Sequence, residues 1–220
     1  MQALFLTLQL ALFSTLILLV LATPLAWFLA HKQFKGKAFL EAFLALPLVL
    51  PPTVLGFYLL IALGPNGPGG AIASLWGGQS LAFSFTGLLI GSVIYSLPFV
   101  VQPLQNGFLL IGEKPIQVAA TLKASFSDAF FHVIVPLAKP AYISAATLGF
   151  AHTLGEFGVV LMIGGNIPGE TQVVSIAIFE NVETMQYDQA HMLSGILLII
   201  SFSLLAIIYR NRQKHNHGLL

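Results

Sequence analysis

Glu156 stands in the run Thr153-Leu154-Gly155-Glu156-Phe157-Gly158, an ionisable side chain within an apolar stretch from Pro140 to Ile163. A carboxylate at membrane depth is costly and marks a functional position by default. An ionised Glu156 would repel an anion, so a hydrogen-bonded gate or helix contact fits it better than direct ligation of one. The second chemical signal is backbone. Pro47, Pro51 and Pro52 interrupt Leu46-Pro47-Leu48-Val49-Leu50-Pro51-Pro52-Thr53-Val54-Leu55-Gly56, each withholding an amide and freeing a carbonyl four residues earlier. Inside a bilayer such backbone survives only where protein satisfies it or where it lines a water-filled cavity. A kink absorbed by packing and a pathway wall both meet that condition. Pro98 and Pro103, beside Ser96 and Gln102, repeat the pattern. The pathway or gate candidates are Pro47, Pro51, Pro52, Thr53, Gly56, Ser96, Gly155 and Glu156. His31, His132, His152, His191, His215 and His217 form no cluster with carboxylates at metal-ligand spacing, and no metal site is expected.

These positions need apolar elements to hold them. The chain of 220 residues is 57% hydrophobic and 8% charged, against roughly a quarter charged in ordinary soluble proteins, which excludes a soluble core. A helical crossing takes about 20 mostly apolar residues. Five stretches meet that length: Leu4 to Ala30, Ala38 to Leu63, Phe85 to Leu110, Pro140 to Ile163 and Ala190 to Tyr209. The expected fold class is all-α, a polytopic membrane helix bundle of about five transmembrane helices.

All nine Lys and Arg residues fall in three clusters between those runs: Lys32, Lys35 and Lys37; Lys114, Lys123 and Lys139; Arg210, Arg212 and Lys214. Positive loops stay cytoplasmic. The gaps from Gly64 to Ser84 and Gly164 to Gln189 hold no Lys or Arg, and the second carries Glu170, Glu180, Glu183 and Asp188. The expectation is a multi-pass cell (inner) membrane protein, N-terminus outside and C-terminus cytoplasmic. The first run lacks a positive start, continues for more than 25 residues and ends at His31 and Lys32, which reads as a retained helix rather than a cleaved signal.

Residues 1–220 read as one transmembrane domain, with 111–139 as its cytoplasmic loop. The chain holds no G-x-x-x-x-G-K-[ST], since Gly36-Lys37 is followed by Ala38, so no ATP site of that kind is expected in it. The absence of Cys excludes disulfides and thiolate metal sites. An ion-coupled secondary carrier or channel would need intramembrane charged relays, whereas Glu156 reads as the only well-embedded charge. A membrane enzyme would need a catalytic constellation at depth, and none is visible. No nucleic-acid partner is expected; membrane lipids are.

In the cytoplasmic loop, Ile116, Ala119, Leu122, Phe126, Phe130 and Val133 recur at three- or four-residue spacing among Gln117, Lys123, Ser127, Asp128 and His132. That is the pattern of an amphipathic helix. Lying on the membrane surface and docking a soluble partner are the two readings it allows, the second with Leu122, Phe126 and Phe130 as one ridge.

The loop resembles the cytoplasmic motif of binding-protein-dependent ABC importer permeases: Glu-Ala-Ala, three residues, Gly, nine residues, Ile, one residue, Leu-Pro. Gln117-Val118-Ala119 occupies the first three positions, Lys123 the glycine that normally allows a turn between two short helices, Val133 the isoleucine and Val135-Pro136 the end. The stretch Leu46 to Gly56, and Thr153 to Gly158 followed by Gly165-Asn166-Ile167-Pro168-Gly169-Glu170-Thr171, narrow the resemblance to molybdate-type oxyanion permeases; sulfate permeases look similar around Glu156. The resemblance implies the ABC importer permease (MetI-like) fold. It also implies a homodimer enclosing a pathway for molybdate or tungstate, and two cytoplasmic ABC ATPase subunits that bind ATP and Mg. A periplasmic or lipid-anchored molybdate-binding protein would deliver the anion. The ATPase contact would involve Gln117, Ala119, Leu122, Lys123, Ala124, Ser125 and Phe126, with no catalytic residue in this chain. With no Lys or Arg in any membrane run, hydroxyls such as Thr53 and Ser96 and backbone amides are the partners an oxyanion would find.

Overall fold

The computed structural model describes residues 2–216; His217 lies outside them. The chain forms α1 (Gln2–His31), α2 (Lys37–Val49), α3 (Pro52–Leu63), α4 (Pro68–Ala73), α5 (Phe85–Ile111), α6 (Lys114–Thr121), α7 (Phe126–Ala129), α8 (Val135–Leu137), α9 (Lys139–Leu154), α10 (Gly158–Gly164), α11 (Val174–Glu183) and α12 (Tyr187–Asn216). A π-helical turn, Phe130–Ile134, joins α7 to α8.

Three helices are long and apolar enough to cross a membrane unbroken: α1, α5 and the Tyr187–Ala206 part of α12. At about 1.5 Å per residue, the 30 residues of α1 reach well beyond a hydrocarbon core about 30 Å thick. The start of α5 is fixed by Ser84, whose hydroxyl accepts from the Gly87 amide at 3.1 Å and so satisfies one of the first-turn donors.

The second and fourth runs are corrected. The second is not one helix: α2 and α3 meet at 110°, because Pro51 and Pro52 can neither donate to α2 nor let its last residue stay helical. The fourth breaks at Gly155–Phe157 into α9 of 16 residues and α10 of 7. The gaps 64–84 and 164–189 are partly helical as well, holding α4 and α11.

The core is a packing of α1, α5 and α9. Leu18, Ala22, Ala26 and Leu29 meet Val100, Val101, Leu104 and Phe108, with Ala145 closing the third side. Close approach is built from small residues: a Cβ on Gly149 would sit 2.6 Å from Val100 Cγ2, and one on Gly107 2.3 Å from Ala141 Cβ. Around α10 a second core joins Val159 and Ile163 to Leu63, Ala73, Leu81 and Ala82. Polar backbone at the breaks finds partners, as a membrane interior demands. The Ser175 hydroxyl donates to the Glu156 carbonyl at 2.6 Å, Thr171 to the Gly164 carbonyl at 2.6 Å, and the Val174 amide to Thr7 Oγ1 at 2.8 Å.

Candidate functional site

The two helix breaks face one another across a cavity of about 620 Å³, lined by Pro52, Thr53, Tyr95, His152, Gly155, Glu156, Phe157, Gly158, Leu161 and Met162. Four of the expected pathway residues, Pro52, Thr53, Gly155 and Glu156, therefore share one wall. Gly56 stands outside the lining and serves packing instead. A Cβ there would lie 2.7 Å from Met162 Cβ and 3.3 Å from Val159 Cα, so its bareness lets α3 seat against α10. Pro51 is the N-cap residue just before α3, and Pro47 lies inside α2; neither lines the cavity.

Glu156 is 4% exposed. Both carboxyl oxygens are buried without a hydrogen-bond partner among the described residues, as is the hydroxyl of Ser92, which lies near enough to interact with that carboxyl. Ser96, fully buried, does not line the cavity but reaches it through a neighbour. Its Oγ is 2.8 Å from His152 Nδ1 and 3.0 Å from Thr153 Oγ1. The imidazole stacks on Phe99 with ring centroids 3.8 Å apart and leans on Tyr95 at 4.7 Å. His152 and Tyr95 are missing from the sequence candidates because the spacing of histidines speaks only to metal ligation, whereas what places His152 is a single polar position on the face that α9 turns to α5.

A second cavity, about 470 Å³, lies between α2 and α5 and is lined by Leu29, Glu41, Ala42, Leu44, Ala45, Pro98, Val101, Gln102, Gln105 and Asn106. Gln105 Nε2 donates to Glu41 Oε1 at 2.7 Å, and Lys37 Nζ lies 4.0 Å from the same oxygen. Glu41 lies near the start of the second apolar run, one helical turn from Lys37 and with its side chain 38% exposed, whereas Glu156 is buried.

The loop 111–139 is two helices rather than one. α6 ends in a Schellman motif: the Ala124 amide donates to the Ala119 carbonyl at 3.1 Å and the Lys123 amide to Ala120 at 3.0 Å, with Lys123 in the left-handed position at φ 63°. That is the position where glycine is favoured. The lysine does not remove the turn; it adopts the positive φ. After it, the Ser125 hydroxyl accepts from the Asp128 amide at 3.2 Å and starts α7. The expected single ridge is corrected too. Leu122 and Phe126 are 79% and 59% exposed, while Phe130 turns inward, packing edge-on to Trp27 at 5.3 Å. Trp27 in turn contacts Phe108 at 5.2 Å and Phe126 at 6.3 Å, so the loop rests on α1 and α5 through one indole. Gln117 and Ser125 are exposed, Ala119 is buried and Ala124 half-buried.

A non-glycine residue in the left-handed region costs roughly 1–2 kcal/mol. Lys123→Gly should relieve part of that and slow hydrogen exchange at Leu122 to Ser125. An unchanged or faster exchange would show the turn to be unstrained.

A family model described as "Binding-protein-dependent transport system inner membrane component" matches residues 22–214. The chain belongs to that family. This inner membrane component is 56% identical over 213 residues to the molybdenum transport system permease protein ModB of Azotobacter vinelandii, covering 97% of this chain and 94% of that one. It is 37% identical to the ModB protein of Haemophilus influenzae, covering 97% and 95%, and 35% identical to a probable sulfate transport system permease protein cysT of Chlorella vulgaris, covering 94% and 77%. A solved bacterial ABC transporter involved in the import of the acidic polysaccharide alginate shares the fold, with a TM-score of 0.72 at 15% identity over 98% of this chain and 78% of that one.

The chain is thus a multi-pass membrane permease with the ABC importer fold, and its relatives are transport proteins rather than enzymes. Family membership brings, in general terms, a binding protein and an ATPase as partners.

Proposed function

We propose that this chain is the membrane-spanning subunit of an importer for molybdate or tungstate. The observation that carries the reading is 56% identity over 97% of the chain to a molybdenum permease, set against 35% to a sulfate permease. The domain 1–220 acts as a homodimer around the pathway. Two ATPase subunits, holding ATP and Mg, dock on the loop 111–139, and a periplasmic or lipid-anchored binding protein delivers the anion. The uncharged donors Thr53, Tyr95 and His152 along the outer cavity support passage of an oxyanion that must leave again.

Uptake by the complete complex in proteoliposomes, with molybdate, tungstate and sulfate in competition, tests the substrate. Molybdate and tungstate should displace one another and sulfate should not; sulfate uptake at equal efficiency would move the chain to the sulfate class.

The orientation proposed is N-terminus outside and C-terminus cytoplasmic, from the clusters of Lys and Arg. Because the chain has no Cys, a single engineered cysteine reports its own side. Asn66→Cys and Asn181→Cys should react with an impermeant thiol reagent from outside, and Ser125→Cys and Asn216→Cys should not. The opposite pattern inverts the topology.

A further inference from the structure

Three oxygen and nitrogen atoms, running from buried positions behind the first cavity to His152 in its wall, form a chain whose direction can be worked out. Thr153 is 2% exposed and Ser96 is fully buried. Each hydroxyl hydrogen needs an acceptor, because a buried unsatisfied donor is costly. The Thr153 hydroxyl has one hydrogen-bond neighbour among the described residues, Ser96 Oγ at 3.0 Å; Ser96 has two, Thr153 Oγ1 and His152 Nδ1 at 2.8 Å. If Ser96 donated to Thr153, the Thr153 hydrogen would be stranded. Both are satisfied only when Thr153 donates to Ser96 and Ser96 donates to His152 Nδ1. Nδ1 is then an acceptor, and a neutral imidazole must carry its hydrogen on Nε2. The ring is held in place by Phe99 and Tyr95 and borders the cavity, and Nε2 has no hydrogen-bond partner among the described residues.

The rest of the wall carries further unused polar groups. The hydroxyls of Thr53 and Tyr95 make no side-chain hydrogen bond among the described residues. α3 begins at the cavity with Pro52 and Thr53; the Val54 and Leu55 amides are taken up by the Pro51 carbonyl, and the Thr53 amide, without a partner among the described residues, stands at the positive end of the helix dipole. Glu156, buried with both carboxyl oxygens unpartnered, completes the lining. Its partner must come from the cavity or from Ser92. Toward an anion a carboxyl group can act only as an O–H donor, so Glu156 joins such a site only in its protonated form.

We propose that this cavity is a transient anion site on the path, where His152 donates its Nε2–H to a tetrahedral oxyanion together with Thr53 and Tyr95. This rests on the oxyanion reading of the function above. His152 is a substrate-contacting residue; Ser96 and Thr153 act through it, fixing its tautomer. A site made of uncharged donors holds a dianion loosely enough to pass it on, which a Lys or Arg at the same depth would not.

The test uses the complete complex in proteoliposomes, with molybdate uptake and ATP hydrolysis stimulated by the binding protein read together. His152→Phe keeps an aromatic ring and removes the donor; uptake should fall about tenfold or more while ATP hydrolysis stays within about twofold. His152→Gln, which restores an N–H, should recover most of the uptake, and Ser96→Ala should lose an intermediate amount. Nitrogen-15 NMR of labelled wild-type protein should find His152 as the Nε2–H tautomer. Normal uptake by His152→Phe, equal loss in His152→Phe and His152→Gln, or an Nδ1–H tautomer each overturns the proposal. Should His152→Phe fail to assemble, the tautomer and the Ser96→Ala uptake decide. A wild-type complex that hydrolyses ATP but carries no molybdate, tungstate or sulfate removes the functional reading as well; variant results against an active wild type bear on the site alone.

Discussion

Leu122→Ala and Phe126→Ala should each lower molybdate uptake by about thirtyfold or more, with a matching loss of ATP hydrolysis stimulated by the binding protein. These side chains are 79% and 59% exposed, and they flank a turn made of a Schellman motif and a serine-capped helix start. Isolated apolar side chains on a surface need no explanation, but two large ones held forward by a turn are the side chains that the proposed docking would use. Truncating a hot-spot side chain at such an interface costs about 2 kcal/mol or more, and about 1.4 kcal/mol is a tenfold change, hence the factor. Phe126 also touches Trp27, which packs on Phe108 in the centre of the core. Phe126→Ala should therefore loosen the contact between loop and α1 as well as the docking, while Leu122→Ala affects docking alone. Measuring ATPase binding separately from transport distinguishes the two. Lys123→Glu should impair binding far more than Lys123→Gly, since the lysine sits exposed at the same tip. ATPase binding and stimulation unchanged in Leu122→Ala, Phe126→Ala and Lys123→Glu alike would leave the loop as a membrane-surface helix.

The legible parts of the fold are those set by one strong physical term. α1, α5 and α12 follow from apolar runs long enough to cross a bilayer, and the α2–α3 corner follows from two adjacent prolines whose missing amides no packing can replace. The corner between α9 and α10 has no such marker. Gly155, at φ −94°, takes a conformation open to any residue, and what holds the corner is tertiary: Ser175, on α11, donates to the Glu156 carbonyl. The loop is legible in its periodicity, and its turn only through the resemblance that sets Lys123 at a glycine position, because lysine seldom takes the left-handed conformation it holds here. The site divides in the same way. Thr53 and Glu156 stand out as polar groups in apolar sequence, whereas His152 acquires its meaning only when Ser96, 56 positions earlier, is brought against it. Glu41 is hidden by its distance from any basic or acidic neighbour except Lys37, and Gln105, its closer partner, is on another helix.

Gly56→Ala should reduce uptake severely and lower thermal stability, although it adds one methyl group and improves helix propensity. The added Cβ would lie 2.7 Å from Met162 Cβ, 3.1 Å from Met162 Cγ and 3.3 Å from Val159 Cα. Two of those atoms, the Met162 Cβ and the Val159 Cα, are fixed to the backbone of α10, so side-chain rotation cannot relieve them and α3 must move away. Overpacking of this kind costs about 1–3 kcal/mol, offset by at most about 1 kcal/mol from replacing glycine in a helix. The displacement falls on the pair of elements that form the outer cavity: α3 carries Pro52 and Thr53, and α10 carries Leu161 and Met162. A further contact makes the hinge tight, since a Cβ on Gly158 would meet Pro52 Cβ at 2.7 Å. Steric origin can be separated from any general intolerance by moving the missing methyl to the other helix. Met162→Gly removes the Cβ that blocks it, at the expense of lost packing and a helix glycine, and is itself destabilising. In the double variant the two should couple favourably, by about 0.5–3 kcal/mol as contacting residues do, and uptake should rise above that of Gly56→Ala alone. Strict additivity of the two effects, with no recovery of uptake, would mean that the α3–α10 contact does not set the width of the passage.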